Sequence, residues 1–495
     1  MEQGTKPVYT LAEAREFIEA NRERVDGTYR NQYHLIPPVG WMNDPNGFIY
    51  YQGEYHLFYQ FYPYDSKWGP MHWGHAKTKD LIHWEELPTA LAPDEPYDQD
   101  GCFSGSAIEK DGKLYLMYTG HRIENGVVYQ TQCIAVSEDG INFEKYAANP
   151  VIDEKRMGEY GNIHDFRDPK VIKKDDSYYS IIASKTEDDR GLILLYQSDD
   201  LYEWKFFSVL LEGTHDQGVM WECPDLFHLN GKDVLIMSPI EINPRGVEFH
   251  NTSSTVAFIG QMDWETGSFA VENDHEIDFG LDFYAPQTTR DSAGRQVMIA
   301  WMQMWGRTLP TDLLGHKWAG SMTLARELWV ENNRLYQKPI SDVYQSLKII
   351  EKQTNLVIEN EVRKYHSIST NNRYYQLTLG VSQADAFQVY LAKNKLGGLV
   401  LDFDKETNQL TFSRKDFGHP ITGSEPSQLT ERTVILNGNK IELEIFMDTS
   451  SVEIFVNQEK TMTFTFYEET LEPNLYIEAK GILEVPLLEI GCVQV

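Results

Sequence analysis

Gln52-Gly-Glu-Tyr-His-Leu-Phe-Tyr59 is a tight turn running into an apolar, aromatic-rich strand. The same figure returns four times: Asp111-Gly-Lys before Leu114-Tyr-Leu-Met-Tyr, Asp175-Asp-Ser before Tyr178-Tyr-Ser-Ile-Ile, Asn230-Gly-Lys before Val234-Leu-Ile-Met, and Ala293-Gly-Arg before Val297-Met-Ile-Ala-Trp. Successive strands start 59, 64, 56 and 63 residues apart. Asn-Gly and Asp-Gly favour hairpins because both residues tolerate positive φ. An aromatic following an acidic turn keeps the same spacing, at Trp84, Phe143, Trp204 and Phe269. Several short strands per unit at this period predict a β-propeller, here of five blades. An ordinary β-sandwich with coincidental spacing is the alternative, and three landmarks sharing one period argue against it.

In a propeller the first strand of each blade lines the central channel. Counting nine residues back from Gly53, Gly112, Gly231 and Gly294 gives Asp44, Phe103, Glu222 and Ala285, and Asp168 lies eight before Asp176. Blades 1, 3 and 4 are therefore expected to aim an acid at the axis from one equivalent position.

The repeat spans roughly residues 33–340 of 495, more than one core usually supports. The remainder alternates with period two, in Gln409-Leu-Thr-Phe-Ser, Lys440-Ile-Glu-Leu-Glu-Ile-Phe, Ser451-Val-Glu-Ile-Phe-Val and Thr461-Met-Thr-Phe-Thr-Phe. That pattern reads as a sandwich of antiparallel sheets. The chain is thus expected to be all-β: a helical extension over 1–32, a five-bladed propeller over 33–345 and a C-terminal β-sandwich over 346–495. Thr10-Leu-Ala-Glu13 is a capping box opening the one helix, with Leu11, Ala14, Phe17, Ile18 and Val25 as its packing stripe.

The formal charge of −31, from 75 acids against 44 lysines and arginines, disfavours nucleic acid and anionic membranes and suits a neutral substrate. The N-terminus lacks the apolar core of a signal peptide, and no run of about 18 apolar residues suggests a membrane span. Cys102, Cys133, Cys223 and Cys492 lack metal-ligand spacing and read as reduced thiols. A cytoplasmic location is expected, with no cofactor and no metal. Any contact between copies is expected through the C-terminal domain, which more simply steadies the propeller.

Two carboxylates flanking a glycosidic bond suffice to hydrolyse it. Asp44 lies between Asn43, Asn46 and the N–H groups of a Pro-Asn-Gly turn, so hydrogen bonds are expected to hold its pKa down. Glu222 lies between Trp221 and Cys223-Pro224, and an apolar setting is expected to keep its proton available. These are the candidate nucleophile and acid/base. Asp168 follows Arg167, whose charge is expected to keep it ionised for gripping hydroxyls and stabilising an oxocarbenium-like transition state. Singly, each acid reads as a turn residue; their recurrence across the repeat reverses that. Cys223 reads as packing rather than as a nucleophile.

Trp41-Met-Asn-Asp-Pro-Asn-Gly47, Phe103-Ser-Gly-Ser106, Phe166-Arg-Asp-Pro169, Trp221-Glu-Cys-Pro224, Asp282-Phe-Tyr-Ala-Pro-Gln287 and Ser321-Met-Thr-Leu-Ala-Arg-Glu-Leu328 resemble, in order, the signatures of glycoside hydrolase family 32. Asp448-Thr-Ser-Ser-Val-Glu-Ile-Phe455 resembles the family's second domain. The resemblance implies a β-fructofuranosidase acting with retention, Asp44 forming a fructosyl-enzyme and Glu222 serving as acid, then base. It also implies a fructosyl subsite lined by Asn43, Gln60, Trp68, Phe103, Ser104 and Trp301, with Arg167 beside Asp168 and with Trp41, Tyr284 and Trp305 as further candidates. Ala325 departs from the family's usual proline before Arg-Glu-Leu. The choice among sucrose, short fructo-oligosaccharides and sucrose 6-phosphate stays open; His72, Arg245, His316 and Lys317 are the cations available for a phosphate. Fructosyl transfer through the same intermediate and a non-catalytic sugar-binding propeller are the competing functions.

Overall fold

The computed structural model describes residues 7–366, 371–423 and 429–495. Five antiparallel sheets follow one another around a ring. Their innermost strands are Gly40–Tyr51, Gly101–Lys110, Phe166–Lys174, Met220–Leu229 and Tyr284–Arg290. Each turns back through the predicted hairpin into the apolar strand that marks the repeat: Glu54–Tyr62, Lys113–Glu124, Ser177–Lys185, Lys232–Ile240 and Gln296–Trp301. The turns hold positive φ at Gln52, Asp111, Asp175 and Asn230, and also at Gly53, Gly112 and Gly231, as Asn-Gly-like hairpins require. Buried Phe143, Trp204 and Phe269 sit at or just before the outermost strands of blades 2 to 4.

Blade 5 breaks the pattern. Residues 302–325 are inserted between its second strand and its third, Arg326–Glu331. The insertion returns to blade 1, where Trp318–Ala319 pairs in parallel with Gly40–Trp41. Side chains also stitch neighbouring innermost strands to one another. Gln287 accepts from Phe48 N (3.1 Å) and donates to Gly105 O (2.7 Å), Ser106 Oγ accepts from Val171 N (2.9 Å), and Asp225 accepts from Thr288 N (2.7 Å). Each bond answers a backbone group that the innermost edge would otherwise leave unpaired.

Helix Leu11–Asn21 opens with the capping box: Thr10 Oγ1 accepts from Glu13 N, and Glu13 accepts from Thr10 N. Ala14 and Ile18 are buried, and Arg15 reaches Thr89 O in the outer strand of blade 1.

The last propeller strand ends at Pro339 and the next strand begins at Leu347. The C-terminal part is a sandwich made from one continuous ten-stranded sheet. Two long strands, Arg373–Lys393 and Asn474–Val493, pair along their length and pass from one layer to the other. Arg373–Gly380 pairs with Lys440–Met447 in one layer; Ala386–Lys393 pairs with Gly398–Asp404 in the other. The corner between them carries three register shifts over Thr378–Ala386, facing Gly481 at φ +83°. An adjoining Cβ at Gly481 would meet Gln383 O at 2.6 Å, so the corner takes glycine for both reasons.

Candidate active site

Every innermost strand carries a β-bulge at the same height. The pairing slips at Asn43-Asp44, Ser104, Asp168-Pro169, Cys223-Pro224 and Ala285-Pro286. Asp168, Cys223 and Ala285 take φ of +64°, +49° and +52° there. A bulge bends the strand and re-aims its side chains, and five of them around a channel turn one rim of residues inward.

The bulges correct the expected equivalence of the three acids. Arg167 and Glu222 are each the last paired residue before the slip, and Asp168 and Cys223 are each the first bulged one. Blade 4 thus holds Glu222 where blade 3 holds Arg167, and Cys223 where blade 3 holds Asp168. The acids converge from staggered positions rather than from one rung.

They line a single cavity of about 390 Å³ together with Asn43, Gln60, Trp68, Phe103, Ser104, Arg167 and Trp305. Asp44 accepts from Asn43 Nδ2 (3.1 Å), Ser104 Oγ (3.0 Å) and Cys223 Sγ (3.4 Å). Asn43 is in turn fixed by Trp41 Nε1 at 2.7 Å. The donors are side chains, not the Pro-Asn-Gly amides. They do not hold the carboxyl down: burial and the charge of Glu222 outweigh them and push Asp44 up to about 6.

Glu222 is not in an apolar setting. Its Oε1 accepts two bonds from Arg167, at 2.9 and 3.1 Å, and its Oε2 accepts from Tyr284 OH at 2.5 Å. Arg167 therefore serves Glu222, Asp165 (3.0 Å) and Gln130 Oε1 (3.2 Å) and makes no hydrogen bond to the neighbouring Asp168. Burial pushes Asp168 well above the usual carboxylate range, against the opposing charge of Arg167, contrary to the expectation that the arginine keeps it ionised. The Asp168 carboxylate accepts from Cys223 N (2.9 Å) and Cys223 Sγ (3.5 Å), both at Oδ2. Cys223 is thus a buried donor between two acids, and its burial raises the thiol far from the thiolate form.

Three expected lining residues stand behind the wall. Trp301 and Tyr284 are fully buried, and Trp41 nearly so. Trp301 packs edge-on to Trp305 (5.0 Å) and Trp41 (5.9 Å), so Trp305 is the ring that reaches the cavity. None of His72, Arg245, His316 and Lys317 lines it. His121, Val128, Gln130, His164 and Asp165 line it without having been singled out by sequence. Only Asp165 carried a signal, as the residue preceding Phe166-Arg-Asp-Pro169. His121 lies flat against Phe103, with ring centroids 4.0 Å apart, and accepts from Gln130 at 3.3 Å.

Known proteins resemble the chain over nearly its whole length. Residues 34–339 match the Glycosyl hydrolases family 32 N-terminal domain and residues 343–484 the Glycosyl hydrolases family 32 C terminal. A sucrose-6-phosphate hydrolase of Escherichia coli is 37% identical over 92% of this chain and 93% of its own. A raffinose invertase of Escherichia coli is 36% identical over 93% and 94%. A mutant GH32 beta-fructofuranosidase of Bombyx mori, solved in complex with sucrose, superposes with a TM-score of 0.81 at 35% identity, covering 98% of both chains.

Proposed function

The chain belongs to glycoside hydrolase family 32, and from that premise we propose that it releases terminal non-reducing β-D-fructofuranosyl units from sucrose-type substrates by retaining hydrolysis. The observation that carries the assignment of roles is the convergence of Asp44, Glu222 and Asp168 on one cavity, with Asp44 clamped by Asn43, Ser104 and Cys223 and Glu222 held between Arg167 and Tyr284.

Asp44 attacks the anomeric carbon of the fructosyl unit while Glu222 gives its proton to the departing glycosidic oxygen. The fructosyl ester on Asp44 is then opened by a water that Glu222 deprotonates, and configuration is kept. Asp168 turns Oδ2 to the protein, which leaves Oδ1 for sugar hydroxyls, and its carboxylate stabilises the positive charge that develops on the ring. Asn43, Gln60, Ser104 and Arg167 supply polar contacts, and Trp68, Phe103 and Trp305 supply apolar faces. Trp41, Tyr284 and Trp301 act by positioning these groups. Free thiols at all four cysteines support a cytoplasmic location.

The test is turnover of sucrose by Asp44→Asn and Glu222→Ala. Each should lower kcat by a factor on the order of 10⁴ while circular dichroism stays that of the wild type. Near wild-type turnover by either variant would overturn the assignment of that residue.

A further inference from the structure

Glu222, as the group that protonates the departing oxygen, marks the half of the cavity that receives the leaving sugar. Asp44, Ser104 and Asn43 mark the fructosyl half. The side chains around Glu222 are therefore the ones that a leaving sugar meets.

Arg167 is the one lysine or arginine among the described residues that line the cavity. Its guanidinium is already committed, to Glu222 through Nε and Nη2 and to Asp165 Oδ1 through Nη1 at 3.0 Å. Behind Asp165 stands Lys185, 3.3 Å from Asp165 Oδ2 and 2.9 Å from Asp189. Asp165 thus lies between two cations and offsets both. His164 spends its Nδ1–H on Val128 O at 2.6 Å, since a carbonyl can only accept. Four acidic side chains, Asp44, Asp165, Asp168 and Glu222, face one arginine, in a chain that carries −31 overall. A phosphate ester brings nearly two more negative charges at neutral pH. To enter, it must either displace Asp165 from its cations or lie against the negative charge that Asp165 keeps beside Arg167 and Lys185.

We infer that the leaving-group half of the cavity selects an uncharged sugar and that Asp165 is the residue that excludes a phosphorylated one, an inference that rests on the fructosidase roles proposed above. Asp165 acts on charge at the rim and touches no reacting atom. The chain then differs in substrate from relatives named for sucrose 6-phosphate and is fed by a transport step that leaves its sugar unmodified.

The experiment measures kcat/KM on sucrose and on sucrose 6-phosphate for the wild type and for Asp165→Asn. The wild type should favour sucrose at least tenfold. Asp165→Asn should move that ratio at least tenfold toward the phosphorylated substrate, because Arg167 and Lys185 lose their counter-charge. The ratio cancels any loss of folded protein, which affects both substrates alike. As a check without any variant, raising KCl from low ionic strength should speed wild-type cleavage of sucrose 6-phosphate and leave sucrose unchanged. A wild type that prefers sucrose 6-phosphate overturns the inference while leaving the catalytic roles standing. An unmoved ratio in Asp165→Asn, or a salt response shared by both substrates, overturns it equally. Cleavage of neither substrate means that the catalytic roles themselves have failed, and the inference falls with them.

Discussion

Asp44 must be ionised to attack, yet burial and Glu222 have pushed it up to about 6. The sign of the consequence follows directly. Above that value the nucleophile is charged; below it the protonated form accumulates and cannot attack. A pH profile of kcat/KM on sucrose should therefore fall about tenfold per pH unit on the acid side of roughly pH 6. A profile flat down to pH 4.5 would contradict the buried environment described for Asp44. Ser104 Oγ is one of the donors that favour the charged form. Ser104→Ala should shift the acid limb to higher pH and lower kcat/KM about tenfold, the size expected for one hydrogen bond to a charged group. Tyr284→Phe probes the other carboxyl. Losing the 2.5 Å bond to Glu222 should reduce kcat more than it raises KM, because Tyr284 stands behind the wall and meets no sugar.

At the scale of the element, the five bulges convert a ring of ordinary strands into a site. Ala285 shows the constraint most plainly. It is fully buried, holds φ +52° and precedes Pro286, in the place that Asp168 and Cys223 fill in blades 3 and 4. A β-branched residue is strained in that conformation. Ala285→Val should cost about 2 kcal/mol or more in urea unfolding, and an unchanged midpoint would mean that the bulge can relax. The bulges also separate what sequence reveals from what it conceals. The hairpins at Gln52-Gly53, Asp111-Gly112 and Asn230-Gly231 announce themselves, because the residue types needed for positive φ are few. Asp44, Asp168 and Glu222 could likewise be picked out from their motifs. Their stagger could not, since counting from a turn ignores a slipped residue. The third strand of blade 5 was hidden by the insertion over 302–325, which breaks the period. The surroundings of Glu222 were hidden for a different reason: Arg167 and Tyr284 come from the neighbouring blades, 55 and 62 residues away. Asp165, His164 and Gln130 belong to the cavity only because blades 2 and 3 meet there.

Across the whole molecule, the sandwich is locked to the propeller by buried charge. His34, in the segment entering blade 1, lies between Asp448 (2.8 Å) and Glu453 (2.8 Å) of the sandwich, and all three side chains are fully buried. Glu453 also pairs with Arg326 of blade 5, which in turn meets Asp278 at 2.9 Å. Asp282, at the approach to the innermost strand of blade 5, pairs with Arg307 and with Arg414 of the sandwich. The adjoining Arg307–Thr308 pairs with Thr422–Gly423, two residues from Trp305 in the cavity wall. Several family signatures, Asp282, Arg326, Asp448 and Glu453 among them, therefore build this joint rather than the chemistry. Burial by itself would lower His34, but its bonds to Asp448 and Glu453 carry it up to about 9. An unfolded histidine titrates near 6.5. The stabilisation from His34 is thus complete below about pH 6.5, declines above it and is gone once pH passes about 9. Burial would raise Glu453, yet Arg326 and His34 outweigh it and hold it below the usual range, so its contribution is lost only in acid. Unfolding free energy should accordingly fall between pH 6.5 and 9, and His34→Gln should flatten that slope. Glu453→Ala should cost about 3–5 kcal/mol, because Arg326 and His34 each lose one of their two buried carboxylate partners. An equal pH slope in His34→Gln would assign the alkaline loss to other groups and remove His34 from the joint's titration.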